Sequence, residues 1–217
     1  MRTDFHRDNE WQKGKRDRYL APFYGKYSMA GRFVFVDKSK CSTLIQKQLA
    51  VDTLLQCRDG GSVCIEEKIV RWKGQALEKF FLETESNTNA GHEKTGWMEY
   101  GEADYLLYCF ELRNDDLDCY LIPFPALKTW FWSHEKEFHR HTMPHTINKT
   151  AGRLVPVTDV AEAVKSVVRF IAGGSGRLEK MRAEQPRWRM AADGRVPQRP
   201  PRSNPYARCR TAQSCGR

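Results

Sequence analysis

The chain has 217 residues, 29% of them charged and 40% hydrophobic, with a net charge of +9 and a mean hydropathy of −0.68. That length supports one substantial core with a tail, and no apolar run approaches the roughly 20 residues of a helical membrane span. The segment Met1–His6 lacks the apolar stretch of a secretion signal, so a cytosolic location is the expectation.

Residues 4–20 are polar and charged, with Phe5, Trp11, Tyr19 and Leu20 as apolar contacts. They read as a helix with Gly14 as its weak point, and Pro22 and Gly25 punctuate the chain beyond it. Residues 32–36, Arg-Phe-Val-Phe-Val, form a short apolar run suited to an edge strand. Ser42 or Thr43 can cap a helical turn reaching Gln48. Two apolar runs, 50–57 and 62–71, flank the glycine turn Asp59-Gly60-Gly61 and read as a β-hairpin. A third strand is expected over Lys79–Glu85, and a polar loop over 86–96. Residues 103–112 are strongly apolar, and 119–124 form a further strand. Pro125 opens a helix through Trp132. Residues 134–151 are polar, and 153–157 form a short strand. Thr158 or Asp159 caps an expected amphipathic helix running to Ile171, with Val160, Ala163, Val164, Val167, Val168 and Ile171 at helical spacing.

These elements predict an α/β (α+β) domain over residues 1–172, with a central mixed sheet flanked by helices. Residues 173–217 form an Arg/Pro-rich tail that cannot bury enough apolar surface to fold alone. The tail holds ten Arg and one Lys against three acids, a net of +8, which leaves the body at about +1. A cationic arm of this kind suits nucleic acid, with Arg187, Arg189, Arg195, Arg199 and Arg202 as the contacts. The bland reading is a solvated tail with no specific partner. The seven cysteines include no C-x-x-C pair. Reduced thiols are the simplest reading, with Cys57, Cys64, Cys109 and Cys119 as small buried side chains.

Chemistry concentrates in the hairpin. Side chains alternate faces along a strand, so Glu66 and Lys68 share one face and Glu67 points away with Ile65 and Ile69. Whether Asp52 joins Glu66 depends on the turn. A three-residue loop puts Asp52 opposite Lys68 and on the same face. A two-residue loop puts it on the other. Carboxylates beside a lysine suit Mg²⁺ or Mn²⁺, which prefer oxygen ligands and bind beside phosphate. The alternative is a weak ion pair on the solvent side of a half-buried strand.

Asp52 followed by Glu66-Glu67-Lys68 resembles the signature of the PD-(D/E)xK nuclease superfamily. That signature sets an acid on one strand and D/E-x-K on the next. The resemblance implies an α-β-β-β-α-β restriction-endonuclease-like core over roughly residues 1–130, with 153–172 as an accessory strand and helix. It implies catalytic roles for Asp52, Glu66 and Lys68, and a metal held by Asp52 and Glu66, with Glu83 as a further ligand. Glu10, or Asp8 behind it, is the helix acid that such sites sometimes add. Gln48 and Glu85 are possible supporting residues. No proline precedes Asp52, and Glu83 with Glu85 exceeds the minimal acid set.

Other groupings carry less. The histidines at 134, 139, 141 and 145 lack metal-ligand spacing, and Lys136 and Arg140 oppose a cation, so a basic patch is favoured over zinc. Asp104 suits a cap or a buried hydrogen bond. Trp130, Phe131 and Trp132 read as core more than as a base-stacking platform. The resemblance therefore implies a metal-dependent endonuclease, with DNA favoured by the family alone. Its small single-domain body suits an oligomer or a larger assembly. The rival is a catalytically inactive nucleic-acid-binding or inhibitory protein.

Overall fold

Residues 105–111 and 117–123 of the central strands are buried almost without interruption, so each has two faces to cover. The computed structural model describes residues 5–27, 32–35, 50–56, 62–74, 78–143 and 149–173. The expected turn at 42–48 with Gln48, the hairpin loop at 57–61, and all five tail arginines named above lie outside the described residues. The described residues belong to one unit, Met1–Ala183.

Helix α1 (Phe5–Lys15), a π-helical turn (Arg16–Leu20) and α2 (Ala21–Tyr27) form one continuous helical stretch. The expected break at Pro22 does not occur. The wide turn closes with an Ala21 N–H donated to the Arg16 carbonyl, so Pro22 falls in the first turn of a new helix, where its missing donor costs little. Strands β1 (Arg32–Phe35), β2 (Thr53–Gln56), β3 (Ser62–Val70), β6 (Tyr105–Glu111), β7 (Leu117–Pro123) and β10 (Val168–Ala172) form a six-stranded mixed sheet in the order β1-β2-β3-β6-β7-β10. Among these strands only β3 and β6 pair in parallel.

A second sheet stands beside it, where the sequence predicts a single one. Strands β4 (Lys79–Asn87), β5 (Lys94–Thr95), β8 (His139–Thr142) and β9 (Ala151–Pro156) pair in the order β5-β4-β9-β8, all antiparallel. The third expected strand, β4, thus leaves the hairpin's sheet and pairs with a segment about seventy residues later. Gly152 permits that pairing, since a Cβ there would lie 2.3 Å from the Leu82 carbonyl oxygen. The remaining α-helices of the described residues are α3 (Trp97–Tyr100), α4 (Phe124–His134) and α5 (Val157–Ala163).

Two hydrophobic clusters cover the two faces of the six-stranded sheet. Leu106, Tyr108, Phe110, Tyr120 and Ile122 meet Phe80, Leu82 and Val155 of the second sheet, with Phe124, Leu127 and Phe131 of α4. On the other face Ile65, Ile69, Leu107, Cys109, Cys119 and Leu121 meet Tyr19, Leu20 and Tyr24 of the N-terminal helical stretch. Burial at roughly 25 cal/mol per Å² makes these faces the main source of stability. Cys109 and Cys119 are fully buried and unoxidised, and Cys64 is half-buried.

The expected helix from 158 to 171 is overturned. Helix α5 ends at Ala163, Ser166 takes a left-handed φ of +70, and the chain enters β10 against β7. Valine and isoleucine favour strands through their β-branching, and Val168, Phe170 and Ala172 recur at a period of two. Phe170 and Ala172 are buried there while Arg169 faces out. Among the described residues no helix is long and apolar enough to cross a membrane.

Candidate active site

Asp52 stands where the chain enters β2. Its amide donates to the Ile65 carbonyl at 2.8 Å, and its Oδ2 accepts the Glu67 amide at 3.0 Å. Two residues earlier Ala50 has a left-handed φ of +47, a conformation that costs a non-glycine residue on the order of 1 kcal/mol. The hairpin pairs Thr53 with Ile65 and Leu54 with Cys64. Asp52 therefore lies beside Glu66, whereas the three-residue turn would have set it opposite Lys68. The register is shifted by two residues, but its parity is unchanged, and parity is what decides the face.

Glu66 and Lys68 project from β3 toward the second sheet. Lys68 Nζ lies 2.6 Å from Glu66 Oε1, and sits 5.1 Å from the centre of the Trp97 ring. Asp52 and Glu66 are buried, at 2% and 5% exposure, and their carboxyl groups are hydrogen-bonded to each other. Burial, then the charge of Asp52, pushes the Glu66 carboxyl up to about 8, against the pull of Lys68. Burial disfavours the Lys68 ammonium, yet Glu66, Asp52 and Glu83 outweigh it and hold the lysine above its ordinary value. Lys68 is thus a cation at neutral pH.

Glu83 reaches this group from the second sheet. It is half-buried, accepts the Trp97 amide, and acts on Lys68. Burial raises its carboxyl and Lys68 opposes that rise. A bulge between Glu83 and Glu85 and the close approach of Gly96 set this placement. A Cβ on Gly96 would fall 2.4 Å from the Glu83 carbonyl oxygen and 2.8 Å from its Cγ.

The opposite face of β3 holds a buried polar network that sequence reasoning missed. Arg16 Nε donates to Glu67 Oε2 at 2.6 Å, and the Tyr24 hydroxyl donates to Oε1 at 2.7 Å. The Thr53 hydroxyl donates to Oε1 as well. The Arg16 guanidinium also lies 3.9 Å from Asp52 Oδ1. Asp52 is therefore held from the helix side by Arg16 and by the backbone of Glu67, while its carboxyl meets Glu66 on the other. Burial raises the Glu67 carboxyl, and Arg16 counters it.

The other expected residues that the structure describes lie away from this group. Glu10 is exposed on α1, and among the described residues no ion pair or hydrogen bond joins it to the acids. Asp8 pairs with Arg71 at 3.4 Å. Glu85 is taken by a two-pronged contact with Arg140 at 2.9 and 3.2 Å. His134 stacks on Trp130 with ring centres 5.5 Å apart. Asp104 Oδ2 accepts the Cys64 amide at 2.8 Å, a hydrogen-bonding role at the start of β6. Phe131 is buried, while Trp132 on the same helix is 40% exposed.

Among the described residues, no set of three or more His, Cys, Asp or Glu side chains is arranged to hold a metal ion. Asp52 and Glu66 nonetheless form a two-carboxylate pair, which is the usual protein contribution to Mg²⁺, with water and phosphate completing the shell. Two buried carboxylates in contact cannot both stay ionised without a cation between them or a proton shared. The donor chemistry therefore fits a hard divalent cation. No family model, no curated protein and no solved structure matches this chain.

The raised Glu66 carboxyl has a sign that can be measured. Its folded value lies above the ordinary 4.5, so the fold holds an extra proton up to about pH 8. This stabilisation is complete below pH 4.5 and is lost as pH rises to about 8. In EDTA, melting temperature is expected to fall across that window, and Glu66→Gln is expected to flatten the fall. An equal slope in the variant, read by scanning fluorimetry, would assign the effect elsewhere.

Proposed function

We propose that this chain is a divalent-cation-dependent nuclease that hydrolyses phosphodiester bonds in nucleic acid, DNA being the favoured substrate. Its core would then be of the restriction-endonuclease-like, PD-(D/E)xK type. The observation that carries the reading is the meeting of Asp52, Glu66 and Lys68 from two adjacent strands, with Lys68 2.6 Å from Glu66.

Asp52 and Glu66 would hold Mg²⁺ or Mn²⁺. When bound, such a cation acidifies water and offsets the negative charge that develops on the phosphoryl oxygens. Lys68 stays an ammonium, so it neutralises and orients the scissile phosphate and does not take a proton. Glu83 gives Lys68 a third acidic neighbour, after Glu66 and Asp52. Arg16 fixes Asp52 from behind. Arg187, Arg189, Arg195, Arg199 and Arg202 would add salt-dependent affinity for the polyanion.

The test uses the full chain with supercoiled plasmid, single-stranded DNA and RNA, in Mg²⁺, Mn²⁺ or EDTA. The reading expects cleavage of DNA with either metal and none in EDTA. Gel shifts without cleavage in either metal would instead mark a nucleic-acid binder that performs no hydrolysis.

A further inference from the structure

Helix α3 is one turn long and is tied to the acidic group at its start. The Trp97 amide donates to Glu83 and the Trp97 ring lies under Lys68. Tyr100 stands three residues on, and residues three apart share a helix face. Tyr100 thus lies on the same side of the turn as Trp97, whose ring meets Lys68, and after burial the charge of Glu83 acts most on its phenol, ahead of those of Lys68, Glu66 and Asp52. The ring packs at the margin of the core and is half-buried.

Its hydroxyl stands apart from those of neighbouring tyrosines. Tyr19 donates to Asp115, Tyr24 to Glu67 and Tyr120 to Asp118, and Tyr108 accepts the Phe81 amide. Among the described residues the Tyr100 hydroxyl has no hydrogen-bond partner. A half-buried donor that meets no protein acceptor is available to a ligand. Burial and the nearby acids keep the phenol protonated, so it acts as a donor.

We propose that Tyr100 is a further catalytic residue, whose hydroxyl donates to a non-bridging oxygen of the scissile phosphate beside Lys68. This rests on the nuclease reading above. Because the contact strengthens as charge builds on that oxygen, its loss falls on turnover. Glu83, Glu66 and Asp52 repel that same oxygen, whereas Lys68 and Tyr100 can both donate to it.

The test compares wild type with Tyr100→Phe, which keeps the ring and removes one oxygen. Cleavage of DNA in Mn²⁺ is expected to slow by about 100- to 1,000-fold in kcat, the loss typical of one such donor. Melting temperature and calorimetric Mn²⁺ affinity are expected to stay unchanged. Wild-type kcat in the variant would overturn this proposal while leaving the nuclease reading intact. A lower melting temperature with a matching loss of Mn²⁺ affinity would mark a structural role and overturn it as well. No cleavage by wild type would end both.

Discussion

Lys68→Met is expected to cut metal-dependent cleavage by at least about 10²-fold while the protein stays folded. The substitution keeps an unbranched apolar stem against the Trp97 ring and removes only the ammonium. What remains is a buried carboxyl pair, and Glu66 is already inclined to hold a proton beside Asp52. Neutralising one acid spares the fold the cost of two unpaired buried charges. The loss therefore appears in turnover far more than in stability. Lys68→Arg is expected to recover part of the rate, since a planar guanidinium keeps the charge but not the compact geometry. A Met variant that cleaves at the wild-type rate would remove Lys68 from the chemistry.

Arg16→Met is expected to be the most destabilising single change among the residues around the acids, by roughly 3–5 kcal/mol. Glu67 is 1% exposed at its side chain, and Arg16 is its charged partner at 2.6 Å. Removing the guanidinium leaves a buried carboxylate held by the Tyr24 and Thr53 hydroxyls. It also frees Asp52 from the cation 3.9 Å away. Urea titration reads the change as a lower midpoint at constant slope. The double variant Arg16→Met, Glu67→Gln is expected to lose less than the sum of the two single changes, because the orphaned charge is gone. Additive losses would show that the pair is not coupled.

Much of the central sheet is legible in the sequence. Leu106, Tyr108 and Phe110 alternate with Leu107 and Cys109, and each set joins a different core. The hairpin is legible from its glycine turn, and the face of Glu66 and Lys68 follows from strand periodicity alone. The pairing register is not, because the turn's length cannot be read from Asp59-Gly60-Gly61. Sheet membership is not legible either. Phe80 and Leu82 announce a strand, but nothing local says that β4 pairs with Leu154 and Val155 of β9. Val164, Val167, Val168 and Ile171 keep helical spacing while Val168, Phe170 and Ala172 keep a period of two, and the edge of β7 decides between them. Arg16 lies 51 residues from Glu67, and only the packing of the N-terminal helices on the sheet joins the two. Trp97 and Tyr100 are hidden for the same reason, in a four-residue helix with no periodic pattern to announce it.

The most direct measurement is calorimetric titration of Mn²⁺ into the metal-free full chain, beside Asp52→Asn and Glu66→Gln. Wild type is expected to bind one ion per chain, with a proton released as Glu66 ionises. Each variant is expected to bind at least about tenfold more weakly, since one of two carboxylate ligands is lost. No binding by wild type, or equal binding by all three proteins, would contradict the placement of a cation between Asp52 and Glu66.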